Sequence, residues 1–304
     1  MRQAAPYFMA YFVFMNSTLN TLNVSQASMQ QARQHYENFP VASVLLPKRL
    51  RAPIALIYSF ARQADDFADE GDLTIEQRLQ LLLQFRDELD LIQAYIQPKT
   101  ALFIALKDSI KQYKLPLSAF YDLLDAFSQD VTKTRYANFD QVLDYCRRSA
   151  NPIGTLLLHL YGKATPANLK LSDNICSALQ LINFYQDVAI DFAKNAGKRR
   201  IYLCADEMLQ FGISEQHIEN ENADKNWQQF ILFNISRAEA MLHAGKPLGL
   251  ILTGRIGLEM RMIIAGGQSI IDQLKATQGD IFKHRPKLKQ LDWLKMLCQA
   301  LLKK

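Results

Sequence analysis

With 304 residues, 49% of them hydrophobic, the chain can bury a large core, and no Pro/Gly/Ser-rich stretch or charge block marks a linker. The formal charge of +5 is mildly basic, yet no basic stripe interleaved with aromatics appears, which argues against nucleic acid as a partner. The five histidines show no metal-ligand spacing, and Cys146, Cys176, Cys204 and Cys298 form no CxxC pair, so zinc is not expected and reduced cytosolic thiols are.

The apolar run Pro6–Met15 is too short to span a bilayer. No small-x-small cleavage site follows it, so we expect a membrane-touching extension or an upstream start, with Met15 as the alternative initiator. Residues 1–24 are accordingly set apart as an extension, and 25–304 as one helical domain.

Beyond the extension, apolar residues recur at steps of three and four, and sustained alternation is absent. A short helix is expected over Ser25–Tyr36. Pro53 should open a helix reaching Glu70, with Gly71 ending it. Thr74 and Gln77 read as a capping box for a helix toward Ile96, and Asn138 with Gln141 repeats that signature before a helix interrupted at Pro152. Ser172 or Asp173 should cap a long helix through Asp191, followed by helices over Asp224–Ala244, Pro247–Leu274 and from Pro286 onward. The expected fold class is an all-α bundle with a central cavity.

Two of these helices carry polar stripes. Tyr58, Arg62, Asp65 and Asp69 step by four, three and four; Gln180, Asn183, Asp187 and Asp191 step by three, four and four. Each set shares one helical face while the remaining faces are largely apolar. Like charges at i,i+4 on an exposed helix cost only about 0.2–0.5 kcal/mol. Burying an unpaired carboxylate costs several kcal/mol. Burial therefore outweighs repulsion along the helix, and something cationic should sit with these carboxylates. Oxygen donors without His or Cys select Mg²⁺, which takes one or two carboxylates and completes its shell with water and substrate phosphates. Asp87, Glu88, Asp90, Asp122 and Asp125 lack the apolar context and are assigned to the surface. Lys198, Arg199 and Arg200, just after the second stripe, suit a diphosphate.

These residues carry a resemblance. Asp65–Asp69 with Tyr58 and Arg62 upstream resembles the first aspartate-rich motif of the squalene/phytoene synthase family. Asn183–Asp191 with Gln180 is similar to the second, and Arg200-Ile201-Tyr202 to the Arg-x-Tyr segment that follows. His35–Val44 and Asp144–Thr155 resemble the hydroxysqualene synthase branch of bacterial hopanoid pathways. Two departures stand out: the loop Lys194–Arg199 is longer than the family's, leaving Arg199 and Arg200 as alternatives for the diphosphate, and Cys204 replaces a common Pro.

The resemblance implies that Asp65, Asp69, Asp187 and Asp191 hold Mg²⁺, while Arg62 and Arg199 or Arg200 meet the diphosphate. Tyr58, Gln180, Asn183, Tyr145 and Tyr202 would line the cavity or support the metal. It implies a reaction of presqualene diphosphate with water, giving hydroxysqualene and diphosphate without NADPH. Where condensing relatives carry Lys-Ser-Phe this chain has Glu37-Asn38-Phe39; Glu37 would orient the attacking water with Asn38. A cytoplasmic enzyme is expected, peripheral on the inner face of the membrane through the Arg285–Lys304 run and able to associate with neighbouring squalene-pathway enzymes. The rivals are a condensing synthase and a non-catalytic scaffold of the same fold.

Overall fold

Proline 53 illustrates how the chain departs from local rules. In the computed structural model, which describes residues 47–193 and 200–302, helix α1 spans Lys48–Asp69 and carries Pro53 inside it rather than at its start. Proline has no N–H for the carbonyl four residues back. That carbonyl, on Arg49, instead accepts a 3.1 Å hydrogen bond from the Tyr113 hydroxyl, so the helix begins a turn earlier than the proline signal implies.

All regular elements among the described residues are helices: after α1 come α2 (Ile75–Gln93), α3 (Ala101–Tyr113), α4 (Leu117–Thr132), α5 (Phe139–Ser149), α6 (Asn151–Leu160), α7 (Pro166–Ala193), α8 (Ala205–Gln210), α9 (Glu215–Glu219), α10 (Lys225–Gly245), α11 (Leu248–Ile251), α12 (Gly254–Ala276) and α13 (Gln290–Leu302). One isolated parallel bridge joins Tyr136 and Cys204. The all-α expectation holds. The Thr74/Gln77 capping box forms on both sides. Asn138 accepts from the Gln141 amide, but Gln141 reaches past it to the Ala137 N–H, so only half of that box is built.

Other boundaries move for identifiable reasons. Helix α7 starts six residues before Ser172, because Thr165 caps the Asn168 amide at 3.2 Å and Pro166 pre-sets the first turn. The stretch expected as one helix over Pro247–Leu274 breaks at Leu252–Thr253, next to Gly254 in the left-handed region at φ +64°. The early helix over Ser25–Tyr36 lies outside the described residues.

The described chain groups into two compact units. One comprises residues 47–132 with Arg148–Leu169; its centre is a phenylalanine cluster in which Phe60 of α1 meets Phe85 of α2, Phe103 of α3 and Phe120 of α4 at centroid distances of 5.6, 5.8 and 5.1 Å. Each such pair adds about 0.5–1.5 kcal/mol beyond simple burial. With Ala61, Ala64 and Ala68 also buried, the cluster fixes the rotation of α1 and hence the direction of its polar stripe.

The other unit comprises Lys133–Arg147 and the chain from Lys170 onward. Within it α7 is apolar and buried on nearly every side from Ile175 to Val188. Neighbouring helices approach closely because glycines face it. A Cβ at Gly245 would lie 2.4 Å from Ile175, and one at Gly267 2.8 Å from Leu179.

Candidate active site

The first motif follows from the rotation of α1. Arg62 is held by its own helix, with Nη2 2.6 Å from Asp66 Oδ1 and Nη1 3.6 Å from Asp65 Oδ2. Burial alone would lower the Arg62 pKa, but Asp65 and Asp66 outweigh it and raise it above the ordinary value. Asp65 is pushed up to about 7, first by burial and then by Asp69, with Arg62 opposing and Asp66 and Asp130 adding to the rise. Three further carboxyl groups therefore act on Asp65, against one opposing guanidinium from Arg62. Acids placed this way favour uptake of a proton or a cation at Asp65.

Asp130 was not singled out by motif or spacing, although a signal was there. It falls on the apolar stripe of α4 with Phe120, Leu123, Phe127 and Val131, and is only 5% exposed. Glu88, expected at the surface, is instead buried. It accepts from the Lys99 and Thr100 amides at 2.8 and 3.1 Å, because the start of α3 needs acceptors for its free N–H groups.

The second motif lies deeper. Gln180, Asn183 and Asp187 are each no more than 5% exposed, as the apolar surroundings of the stripe required. Both side-chain polar atoms of Asn183 are buried without a hydrogen-bond partner. An orphaned amide on an apolar helix, one turn from a buried carboxylate, asks for a ligand. Asp187 has found a cation within the protein: Arg285 Nε donates to its Oδ1 at 2.6 Å, and beside it Gln186 donates to the Pro286 carbonyl at 2.5 Å. Local pattern gave no sign of Arg285, which is 98 positions away.

Downstream, the segment carrying Arg200 and Tyr202 is pinned beside Thr134–Ala137. The amides of Ile201, Ala205 and Asp206 donate to the carbonyls of Thr134, Tyr136 and Ala137. Arg200 is 6% exposed and donates to the Tyr202 hydroxyl at 3.3 Å. Tyr202 stacks on Phe184 of α7 at 3.8 Å, and Tyr145 and Tyr136 complete an aromatic wall. Tyr145 and Tyr202 are thereby brought together in one unit with Asn183, while Tyr58, Arg62, Asp65 and Asp69 share the other. Arg199, Glu37, Asn38 and Phe39 lie outside the described residues.

Among the described residues no three His, Cys, Asp or Glu side chains form a complete metal cage. Mg²⁺ does not require one, since it keeps waters and completes its shell with phosphate. The oxygen donors crowded around Asp65 fit such an ion.

The Squalene/phytoene synthase family model matches residues 32–292, a span that includes both aspartate motifs, the aromatic wall and Arg285. The chain belongs to the squalene/phytoene synthase family. Among relatives within it, the hydroxysqualene synthase of Sinorhizobium fredii is 32% identical over 267 residues, covering 86% of this chain and 87% of the relative. That of Rhodopseudomonas palustris is 31% identical over 272 residues, covering 89% and 90%. The crystal structure of squalene synthase HpnC from Alicyclobacillus acidocaldarius superposes with a TM-score of 0.75 at 30% identity, covering 83% of this chain and 93% of that one. As a squalene/phytoene synthase family member, the chain has the all-α isoprenoid synthase fold.

Proposed function

We propose that this family member is a hydroxysqualene synthase, converting presqualene diphosphate and water to hydroxysqualene and diphosphate. The observation that carries the chemistry is the crowding of acids at the first motif: Asp65 is under the influence of Asp66 and Asp69 on its own helix and of Asp130 on α4, while Arg62 pairs with Asp65 and Asp66. Such a cluster suits a divalent cation and its phosphate ligand better than it suits an isolated protein. The choice of product rests on the two hydroxysqualene synthases, each similar over most of its length.

Asp65, Asp69, Asp187 and Asp191 are the residues that would hold Mg²⁺, which when bound offsets the charge of the departing diphosphate. Arg62 and Arg200, with Arg199 as the alternative to Arg200, contribute guanidinium forks that match phosphate oxygens. Tyr145, Phe184 and Tyr202 form an aromatic wall whose π-electron density would favour a cationic hydrocarbon intermediate and whose bulk would exclude stray water. Asn183 and Gln180 supply amides on the second motif's stripe, and Tyr58 a phenol on the first. Glu37 with Asn38 and Phe39 would orient the single water that ends the sequence. NADPH has no part in this reaction.

Membrane contact is the second element of the proposal. No helix among the described residues is long and apolar enough to cross a bilayer. The helix α13 turns Met296 inward, contrary to a simple interfacial reading of the whole run, yet leaves Leu294 and Leu301 exposed. Arg261 bridges α13 to α11 by donating to the carbonyls of Ala300 and Gly249, both at 2.8 Å. Leu250 and Ile251 of α11 are exposed as well, as are the basic side chains of Arg255 and Lys295. Apolar side chains with a basic fringe suit an anionic bilayer. That location would suit association with neighbouring squalene-pathway enzymes.

The test is to incubate the purified protein with presqualene diphosphate and Mg²⁺ in the absence of NADPH. Hydroxysqualene and diphosphate are expected. Consumption of farnesyl diphosphate to a C30 hydrocarbon, with no hydration of presqualene diphosphate, would favour a condensing synthase. Binding without turnover of either would favour a scaffold role.

A further inference from the structure

Behind the first motif sits a buried guanidinium. Arg78, in the first turn of α2, is 8% exposed. Its Nη1 donates to the carbonyls of Phe67 and Glu70 at 3.0 and 2.9 Å, its Nη2 to Gly71 at 2.7 Å, and its Nε to Leu73 at 3.2 Å. The last carbonyls of a helix have no partner within it. Here one side chain collects those at the end of α1 and in the turn that follows, and Asp69 lies between two of the residues it grips.

Charge makes the arrangement more than a cap. Asp65, Asp66, Asp69 and Glu70 crowd the C-terminal end of α1, where the helix dipole is negative and disfavours anions. No basic residue of α1 lies in that last turn. Arg78 brings a positive charge to this end, although its own position near the start of α2 is where that helix's dipole favours an anion. The cation is misplaced for the helix it belongs to and well placed for the one that carries the motif.

We propose that Arg78 is a positioning residue. By holding the last turn of α1 it sets the direction from which the Asp69 carboxylate reaches a divalent cation shared with diphosphate. This rests on the metal reading of the first motif given above. Asp65, one turn further in, is held by the helix ladder itself, so the effect of Arg78 falls chiefly on Asp69.

The experiment measures metal binding without turnover. Full-length wild type, Arg78→Gln, Arg78→Lys, Asp65→Asn and the core variant Leu106→Val are titrated with Mn²⁺ in the presence of inorganic diphosphate. Free Mn²⁺ is read by electron paramagnetic resonance, and thermal unfolding is followed in parallel. Arg78→Gln is expected to weaken Mn²⁺ binding by about tenfold or more, the range seen when groups that orient metal ligands are removed. Arg78→Lys, which keeps the charge and loses the fork, should fall between it and wild type. Leu106→Val should lower the unfolding temperature and leave Mn²⁺ affinity unchanged. Arg78→Gln binding Mn²⁺ within about twofold of wild type, or Leu106→Val weakening it equally, overturns the proposal. Should Arg78→Gln not fold, an unchanged affinity in Arg78→Lys overturns it and a weakened one supports it. Wild type and Asp65→Asn binding alike would overturn the metal reading itself, and the role of Arg78 with it. A clear difference between those two with no effect at Arg78 overturns only the latter.

Discussion

Arg285 donates to Asp187 from a position 98 residues away, so a carboxylate of the second motif is neutralised by a side chain its own helix does not supply. Asp187 is 4% exposed at its side chain and Arg285 27%. Removing the partner of a buried charge costs about 3–5 kcal/mol, and the partial exposure of Arg285 brings the expectation to roughly 2–3 kcal/mol. Arg285→Gln should therefore lower the unfolding temperature of the metal-free protein in chelator. Addition of Mg²⁺ with diphosphate should narrow the gap from wild type, because a second cation then serves Asp187. A gap of constant size would separate Asp187 from the metal site.

The aspartates should divide by context. Asp65 sits among carboxylates on a buried helix, whereas Asp87 is exposed on α2. Asp65→Asn is expected to reduce diphosphate release by about a hundred- to a thousandfold, the scale of losing a transition-state charge contact. Asp87→Asn should stay within about twofold of wild type, as surface changes do. Steady-state diphosphate release at saturating Mg²⁺ decides. Near wild-type turnover in Asp65→Asn would remove the two-motif reading.

Water capture gives a prediction about product rather than rate. If Glu37 orients the attacking water, Glu37→Gln should still consume presqualene diphosphate but divert the cation to eliminated or rearranged hydrocarbons. If Glu37 serves only as a partner to a basic side chain, hydroxysqualene remains dominant and the variant is slower or less stable. Gas chromatography of the extracted products separates the two.

Lipid contact predicts salt-sensitive binding to anionic vesicles. Leu250→Ser with Leu301→Ser removes two exposed aliphatic side chains from α11 and α13, the helices that Arg261 links. Co-sedimentation with phosphatidylglycerol vesicles at low salt should drop about tenfold or more in the double variant, since each buried methylene contributes about 0.8 kcal/mol. Wild type that stays in the supernatant at low salt would end the idea.

Periodicity and residue type alone settled the fold class, the two polar stripes and the Thr74/Gln77 cap, because these depend on neighbours three or four positions away. Thr74 with Gln77 is a local pair of hydrogen bonds, and local sequence is enough to foresee such a cap. The apolar residues around Gln180, Asn183 and Asp187 likewise foretold a buried stripe. What the tertiary structure decided is which charges meet. Arg78 holds carbonyls of the preceding helix end, Glu88 caps the start of α3, and Arg285 reaches Asp187. Asp130 lies on an apolar stripe that is visible in sequence, but its electrostatic coupling to Asp65 exists only once α1 and α4 are packed. The internal tolerance of Pro53 has the same origin, a hydroxyl from α3 supplied to a carbonyl the proline left open. Charge and hydrogen-bond partners are chosen by packing, since a long polar side chain can reach any backbone or carboxylate that burial brings within a few ångströms.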